Sequence, residues 1–223
     1  PAEIRAPLGT VAGVSGFQIN FGAVDVYTPG DLCDVLVVMN VAALKKNLTR
    51  LKERGTIIVN TAGFDKRNLR LAGVEEGQNP LLNNSLEGYK VHEFDITKLT
   101  RESLKDSSLG TKDRDRCKNM FVLGFLYWRY DRTMQGTIDF LTQKFAKKQD
   151  ILEANIKCIK TGYHYGDTTE TFTTQYKVKP APLEKGTYRS IKGNEALVIR
   201  LITAARKSKL SLFYGSYPIT PAS

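Results

Sequence analysis

Two apolar segments, residues 34–39 and 56–60, lie on either side of a stretch with helical periodicity. The first is a nearly unbroken run of valine, leucine and methionine, which is typical of a strand buried on both faces of an α/β sheet. The second segment also has the character of a strand. A strand, a helix and a strand joined by short links predict a right-handed βαβ crossover. We therefore expect an α/β fold with a mixed or parallel sheet.

The helix between the two strands is predicted from the spacing of its leucines. Leu44, Leu48 and Leu51 share one helical face. Asn40 is suited to cap the first turn, and Gly55 is suited to end the helix.

Other patterns extend the fold in both directions. Apolar and alternating runs predict short strands at 17–21, 24–26, 89–95 and 210–214. Helical periodicity predicts helices at 65–71, 97–106, 113–130, 133–147, 150–161 and 195–206. Residues 162–193 are rich in Thr, Tyr, Pro and Gly, so we expect an extended linker there.

Composition argues against several classes of protein. The longest apolar run, residues 120–128, is far shorter than the roughly 20 residues that span a bilayer. Three cysteines without a CxxC pair and only two histidines argue against an iron–sulfur or zinc site built from this chain. The 33 basic residues outnumber the 23 acidic ones, but they are scattered along the chain. We expect a cytoplasmic protein with no membrane or nucleic-acid partner.

Both ends of the chain suggest a fragment. The sequence begins at Pro1 without a methionine and stops at Ser223, just after a strand-like run and a turn. We expect a longer polypeptide, truncated here at both ends.

Two places carry candidate binding residues. In open α/β sheets the ligand crevice lies outside the carboxyl ends of the strands, where Asn40 and Thr61 fall. Both residues could instead simply cap helices. Near the end of the chain, at 217–221, two prolines bracket Ile219 and Thr220. Because proline fixes φ, this loop is expected to be stiff and to hold a hydroxyl donor against a ligand.

The most distinctive motif is Phe-Tyr-Gly-Ser-Tyr-Pro-Ile-Thr-Pro-Ala-Ser at 213–223. Weaker motifs lie at 1–7, 12–17, 27–32, 99–101, 116–121, 126–128 and 193–197. Together these stretches resemble the fused gamma–alpha subunit of 2-oxoacid:ferredoxin (acceptor) oxidoreductases, most of all the 2-oxoglutarate branch. The similarity covers essentially the whole chain.

The resemblance implies a domain division. Residues 1–165 would be a Rossmann-like, three-layer gamma domain, incomplete at its amino end and with a helical C-terminal part. Residues 166–192 would be a linker. Residues 193–223 would supply the first helix and strand of the alpha domain, the α/β domain that binds the pyrimidine side of thiamine diphosphate.

The resemblance also implies a role for the loop at 217–221, which in that family lies beside the thiazolium ring and the substrate. Thr220 would be the catalytic residue and would hydrogen-bond the 2-oxoacid or the bound cofactor. Tyr217 and Pro218 would shape the wall of the site, and Ile219 would be an apolar contact.

The implied reaction is oxidative decarboxylation of a 2-oxoacid, expected to be 2-oxoglutarate, to acyl-CoA and CO2, with electrons passed to ferredoxin. Thiamine diphosphate with Mg and coenzyme A would belong to the complete complex, and none is expected on this fragment. A partner beta subunit would carry the iron–sulfur clusters and the diphosphate half of the thiamine site. We therefore expect a hetero-oligomer, and an isolated fragment that is inactive.

Two alternatives stay open at this point. The chain could be a non-catalytic packing subunit of such a complex, never joined to an alpha domain. A basic nucleic-acid-binding domain is suggested only by the net charge of +10, and it would bind with a steep dependence on salt.

Overall fold

The computed structural model of the chain describes residues 2–4, 13–169, 175–189, 191–215 and 217. The chain divides into two compact units, Pro1–Pro182 and Leu183–Ser223. These units differ in their bounds from the gamma domain, linker and alpha domain that the resemblance implies. That domain division stays a prediction.

Two short strands precede the main sheet. Strand β1 (Ala2–Ile4) pairs with β2 (Gly16–Gln18) in antiparallel orientation. Of the strand predicted at 17–21, only Phe17 and Gln18 are confirmed, because β2 ends at Gln18. The strand predicted at 24–26 is wrong: Val24 and Val26 alternate but are 66% and 40% exposed, so burial does not hold this segment against a neighbouring strand.

The first unit is built on a three-stranded parallel sheet. Its strands are β3 (Cys33–Val38), β4 (Leu51–Asn60) and β5 (Lys90–Phe94), with β4 in the middle. The predicted pair of strands joined by a helix is confirmed, and the sheet is parallel throughout these strands. The strand predicted at 89–95 is also confirmed.

The connection between β3 and β4 is shorter than predicted. Helix α1 (Val41–Asn47) leads into a 3-10 turn at Leu48–Arg50, and both Leu51 and Gly55 belong to β4. The strand bulges between these two residues, where Arg54 has a φ of 58°. A Cβ on Gly55 would lie 2.6 Å from Leu51 Cδ1, so this glycine accommodates the bulge and does not end a helix.

The rest of the first unit is mainly helical. Its further helices are α2 (Lys66–Leu71), α3 (Ile96–Ser103), α4 (Thr111–Arg116), α5 (Lys118–Arg129), α6 (Gln135–Lys144) and α7 (Gln149–Thr168). The single helix predicted at 113–130 is wrong, since the chain breaks at Cys117 between α4 and α5. The predicted linker also begins too early, because α7 continues through residues 162–168.

Alternate residues of β4 face opposite layers, which makes the first unit three layers deep. Ile57 and Val59 pack in one cluster with Leu44 of α1. Ile58 points to the other face and packs in a second cluster with Phe121 of α5 and Cys158 of α7. The continuous apolar run of β4 is therefore explained by burial on both faces.

Two glycines allow α5 and α7 to approach closely. A Cβ on Gly124 would lie 2.8 Å from the carbonyl carbon of Ile159, and a Cβ on Gly162 would lie 2.8 Å from the carbonyl carbon of Phe121. Each glycine therefore packs directly against the backbone of the facing helix. Gly162, predicted to open a linker, instead belongs to a helix–helix contact.

The second unit contains α8 (Gly193–Ser208), which confirms the helix predicted at 195–206. Its large apolar residues are all exposed: Leu197, Val198, Ile199, Leu201 and Ile202. The strand predicted at 210–214 is wrong, because these residues are described without a strand partner and a strand exists only in a paired sheet. Within the described residues, no helix combines the length and apolar character needed to cross a membrane.

Candidate functional site

The carboxyl ends of three parallel strands meet at one edge of the sheet. Asn40 follows β3 closely, Thr61 directly follows β4, and Asp95 directly follows β5. This edge is where an open α/β sheet forms its ligand crevice. The structure thus brings two of the predicted site residues, Asn40 and Thr61, to the same edge.

The Asn40 side chain is engaged through both of its polar atoms. Its Oδ1 accepts a hydrogen bond from the backbone N–H of Ala43 at 2.8 Å and so caps α1. Its Nδ2 donates to the carbonyl oxygen of Gly13 at 3.1 Å. Gly13 has a φ of +85°, and a Cβ there would lie 2.7 Å from Asn40 Nδ2, so only glycine fits this turn. Asn40 therefore has the capping role that was the alternative to binding.

Thr61 has a hydroxyl that is available for a ligand. The residue is half-buried and begins a 3-10 helix at Thr61–Phe64. Among the described residues, no hydrogen-bond partner occurs for its hydroxyl. Gly63 in the same turn lies against the end of β3, since a Cβ there would be 2.6 Å from Asn40 Cα. The backbones that carry Asn40 and Thr61 are therefore in direct contact.

A buried polar network lies beneath this edge and was not singled out from the sequence. Asn60 is 1% exposed, and its Nδ2 donates to Thr97 Oγ1 at 3.1 Å and to the carbonyl oxygen of Met39 at 3.4 Å. Its Oδ1 accepts from the backbone N–H of Thr97 at 3.3 Å. One side chain thus ties the carboxyl ends of β3 and β4 to the start of α3. The sequence did contain a signal for this network, since Asn60 is a polar residue at the end of an apolar strand.

The helices near this edge are capped by the chain itself. Asp65 Oδ1 accepts from the N–H of Asn68 at 2.7 Å at the start of α2. Asp95 Oδ1 accepts from the N–H of Lys98 at 2.8 Å at the start of α3. Together with the Asn40 cap on α1, these side chains bind backbone N–H groups at the helix starts. Those N–H groups could otherwise bind an anion. Thr61 is the better binding candidate of the two predicted residues.

The predicted loop near the end of the chain is described only at Tyr217, which is 81% exposed in the second unit. Pro218, Ile219 and Thr220 lie outside the described residues. Their roles therefore stay predictions. Within the described part of the chain, no cluster of three His, Cys, Asp or Glu side chains could hold a metal ion.

A cavity of about 410 Å³ lies elsewhere in the first unit, between α1 and the loop that follows α2. Its lining includes the apolar residues Val41, Leu44 and Leu86 and the charged residues Lys45 and Glu75. Neither Asn40 nor Thr61 lines it. The cavity is therefore separate from the predicted site.

His92 is expected to make the stability of the first unit depend on pH. The residue is half-buried on β5, beside Ile58 of β4. Burial lowers the pKa of His92, and the positive charges of Arg129 and Lys90 lower that pKa further. The folded state therefore favours neutral His92.

The free energy of unfolding is expected to decrease as the pH falls below about 6.5, the ordinary pKa of histidine, because the unfolded chain then binds a proton that the folded chain resists. Urea titrations at pH 7.5 and 5.5 measure this effect. His92→Gln should reduce the difference between the two pH values. His164→Gln, at an exposed position of α7, is the matched control. An unchanged pH dependence in His92→Gln would contradict this assignment.

Comparison with known proteins places the chain in a family. The sequence model of pyruvate ferredoxin/flavodoxin oxidoreductase matches residues 4–165. The chain belongs to this family. It is also 47% identical, over all 223 residues, to 2-oxoglutarate oxidoreductase subunit KorA of Mycobacterium tuberculosis (strain ATCC 25618 / H37Rv). The match covers 34% of that relative, so this member of the pyruvate ferredoxin/flavodoxin oxidoreductase family spans about a third of its length.

Two solved structures are similar to parts of this family member. One is 2-oxoglutarate:ferredoxin oxidoreductase from Magnetococcus marinus with 2-oxoglutarate, coenzyme A and succinyl-CoA bound; it is 21% identical, with a TM-score of 0.49, over 70% of this chain and 23% of that one. The other is the gamma subunit of keto/oxoacid ferredoxin oxidoreductase from Geobacter sulfurreducens PCA, 17% identical, with a TM-score of 0.38, over 61% of this chain and 66% of that one.

Proposed function

We propose that this chain is part of a 2-oxoacid:ferredoxin oxidoreductase subunit that decarboxylates 2-oxoglutarate oxidatively to acyl-CoA and CO2 and passes the electrons to ferredoxin. The observation that carries the proposal is the 47% identity to the KorA subunit along the entire chain. This similarity extends beyond residues 4–165, which the family model matches, and includes the motif at 213–223.

The domain division implied by the resemblance belongs to this proposal. Residues 1–165 are the gamma domain, 166–192 the linker, whose first three residues still belong to α7, and 193–223 the opening of the alpha domain. Two properties support it: the family model ends at residue 165, and α8 exposes apolar side chains that a larger α/β domain would cover.

The loop at 217–221 offers groups that suit the substrate side of thiamine diphosphate. Thiamine diphosphate, when bound, supplies the electron sink for decarboxylation. Thr220 provides one hydroxyl donor for an oxygen of the 2-oxoacid or for the cofactor. As the resemblance implies, Tyr217 and Pro218 would shape the wall of the site, and Ile219 would be an apolar contact. As the resemblance also implies, the Mg and the diphosphate are assigned to the beta subunit.

Of the two residues predicted to bind a cofactor in the gamma domain, Thr61 is proposed as a direct contact and Asn40 as a positioning residue. The hydroxyl of Thr61 can donate to a phosphorylated group such as coenzyme A. Asn40 contributes mainly by holding the Gly13 turn at the same edge. The carboxyl-edge location of both residues supports this part of the proposal.

The proposed partners are a beta subunit that carries the iron–sulfur clusters, ferredoxin, and the 2-oxoacid substrate, in a cytoplasmic hetero-oligomer. The name of the KorA relative, which is called a subunit, supports an assembly of several chains. The three cysteines of this chain are all unbridged, which fits a reducing compartment.

The proposal is tested on the intact complex, in which the full-length subunit is coexpressed with its beta subunit. We expect reduction of ferredoxin that depends on both 2-oxoglutarate and coenzyme A. The reduction is measured as the change in absorbance of the iron–sulfur cluster of ferredoxin. Pyruvate serves as the competing substrate. A complex that assembles but oxidises no 2-oxoacid would contradict the proposal and favour a packing subunit.

Thr220→Val in this complex is expected to lower kcat/KM for 2-oxoglutarate roughly tenfold, because the variant keeps the shape and loses one hydrogen bond worth about 1.4 kcal/mol. The measurement is steady-state ferredoxin reduction with coenzyme A in excess. Thr203→Val is the matched control in the same unit, since the Thr203 hydroxyl bonds its own helix at Ile199. Equal kcat/KM values for the two variants would exclude the role proposed for Thr220.

A further inference from the structure

Two of the three cysteines, Cys117 and Cys158, meet in the core of the first unit. Cys117 lies between α4 and α5, and Cys158 lies on α7. Both are buried, and both belong to the apolar cluster that contains Ile58 of β4. Their thiols hydrogen-bond each other. We call these two residues the dithiol pair.

The orientation of α5 and α7 explains why these thiols meet. A Cβ on Gly162 would lie 2.8 Å from the carbonyl carbon of Phe121, and a Cβ on Gly166 would lie 2.8 Å from Cγ of Trp128. Residue numbers therefore rise in the same direction along both helices. Close packing at one level continues to the levels above and below it.

The dithiol pair lies one helical turn before the contact between Phe121 and Gly162. Cys117 comes four residues before Phe121, and Cys158 comes four residues before Gly162. Residues four apart lie on the same face of a helix. Because Gly162 lets the two backbones approach closely, the two cysteine side chains one turn earlier are brought together across the same interface.

The surroundings of the dithiol pair make the two thiols unequal. The Ser103 hydroxyl oxygen lies 3.7 Å from Cys158 Sγ, and Cys117 Sγ donates to the carbonyl oxygen of Asp113 at 3.5 Å. The hydrogen bond from Cys117 lowers the pKa of Cys158, although burial opposes this shift. The same hydrogen bond and burial raise the pKa of Cys117. Cys158 is therefore the thiol that more readily becomes a thiolate, which is the nucleophilic form.

We propose that the dithiol pair is a site of reversible oxidative modification, at which a peroxide converts the two thiols into a disulfide. The Cys158 thiolate attacks one peroxide oxygen and breaks the O–O bond, which leaves a sulfenic acid on Cys158 and releases the other oxygen as water. Cys117 then attacks the sulfenic sulfur, forms the S–S bond and releases the second oxygen as water. The two thiols lose two electrons and two protons, and one hydrogen peroxide becomes two waters. This inference does not depend on the proposed function.

Burial of the dithiol pair makes local opening a step of this reaction. The chain breaks at Cys117, and no side chain caps the start of α5 there. Opening at this break exposes the pair without unfolding the sheet. The disulfide would then join α7 to the junction of α4 and α5, and a thiol reductant would release it.

Oxidation of the full, folded chain with hydrogen peroxide tests the proposal. After alkylation of the remaining thiols, a protease that cuts after lysine should release residues 113–118 joined to residues 158–160. We expect this linked peptide to be at least about tenfold more abundant than any pair that contains Cys33, because a disulfide forms only between cysteines whose Cα atoms lie within about 7 Å. Dithiothreitol should remove the linked peptide.

The same oxidation in urea shows whether the preference comes from the fold. In an unfolded chain the preference should fall to about threefold, since only the separation of the cysteines along the chain then matters. An equal preference in the folded and the unfolded chain would overturn the proposal.

Cys33→Ser is the matched control, because Cys33 packs against the cluster on the opposite face of the sheet. This variant should keep the linked peptide. In Cys117→Ser, oxidation should stop with one oxygen atom added to Cys158, whereas Cys158→Ser should leave Cys117 as a thiol. A third measurement uses the unchanged chain, so it remains decisive if a variant fails to fold. Cys117 and Cys158 that remain thiols after the more exposed Cys33 has been oxidised would overturn the proposal.

Discussion

Gly162→Ala is expected to lower the free energy of unfolding of the first unit by about 3 kcal/mol, because the added methyl group clashes with the backbone of Phe121. Backbone atoms cannot rotate away as the end of a flexible side chain can. The two helices would have to move apart, and this movement would loosen the cluster that contains Phe121, Cys158 and Ile58. Gly124→Ala should have a similar effect through Ile159.

Urea titration followed by circular dichroism measures this loss. Gly136→Ala is the matched control, since Gly136 also lies in a helix but has no atom within 4 Å of an added Cβ. Because alanine is the better helix former, this control should be neutral or more stable by up to about 1 kcal/mol. If Gly162→Ala matched the control, the close contact between α5 and α7 would be refuted.

Asn60→Leu is expected to cost about 3 kcal/mol of stability, because leucine has a similar volume but leaves Met39 and Thr97 without their buried hydrogen-bond partner. The damage should be local to the carboxyl edge, where Asn60 joins β3 and β4 to α3. Hydrogen exchange should therefore increase first at the amide of Thr97, which donates to Asn60.

Thr61→Val is the neighbouring control for this prediction. The Thr61 hydroxyl has no partner among the described residues, so its loss should change the free energy of unfolding by less than about 0.5 kcal/mol. The same variant should weaken coenzyme A binding by the intact complex if Thr61 is a ligand contact. An Asn60→Leu variant as stable as Thr61→Val would show that the network does not support the edge.

The sheet was predictable because its signals are local. The apolar run before Asn40 and the run ending at Asn60 each indicate a strand buried on both faces, and the short links leave parallel pairing as the favoured arrangement. Gly55 misled the prediction of the helix end, because glycine serves both helix ends and bulges. A single sequence does not distinguish these two uses.

Contacts between distant segments were not predictable. Gly162 resembles a helix breaker in sequence, yet it is required where α7 meets Phe121 of α5. Asn60 and Thr97 are paired across separate elements, and no spacing rule connects them. The missing strand at 210–214 has the same cause, since strand formation depends on a partner that local alternation cannot supply.

The placement of Asn40 and Thr61 at one edge of the sheet was predictable, whereas the hydrogen bonds of their side chains were not; their role in binding stays a prediction. The rule for open sheets correctly brought Asn40 and Thr61 to one edge. It could not show that the Asn40 amide is already occupied by Ala43 and Gly13. The difference arises because the turn at Gly13 comes from an earlier part of the chain.

The bulge in β4 makes one position suitable for inserting a reporter peptide. While β3 advances from Cys33 to Val35, β4 advances from Leu51 to Thr56, so the register is set separately on the two sides of the bulge. Residues 52–54 are exposed and have no register partner on β3 within that interval, although the Lys52 ammonium lies 2.7 Å from Asp34 Oδ1. Extra residues after Glu53 are therefore expected to leave the pairing from Thr56 onward intact, which would make the bulge an internal attachment point within a central strand.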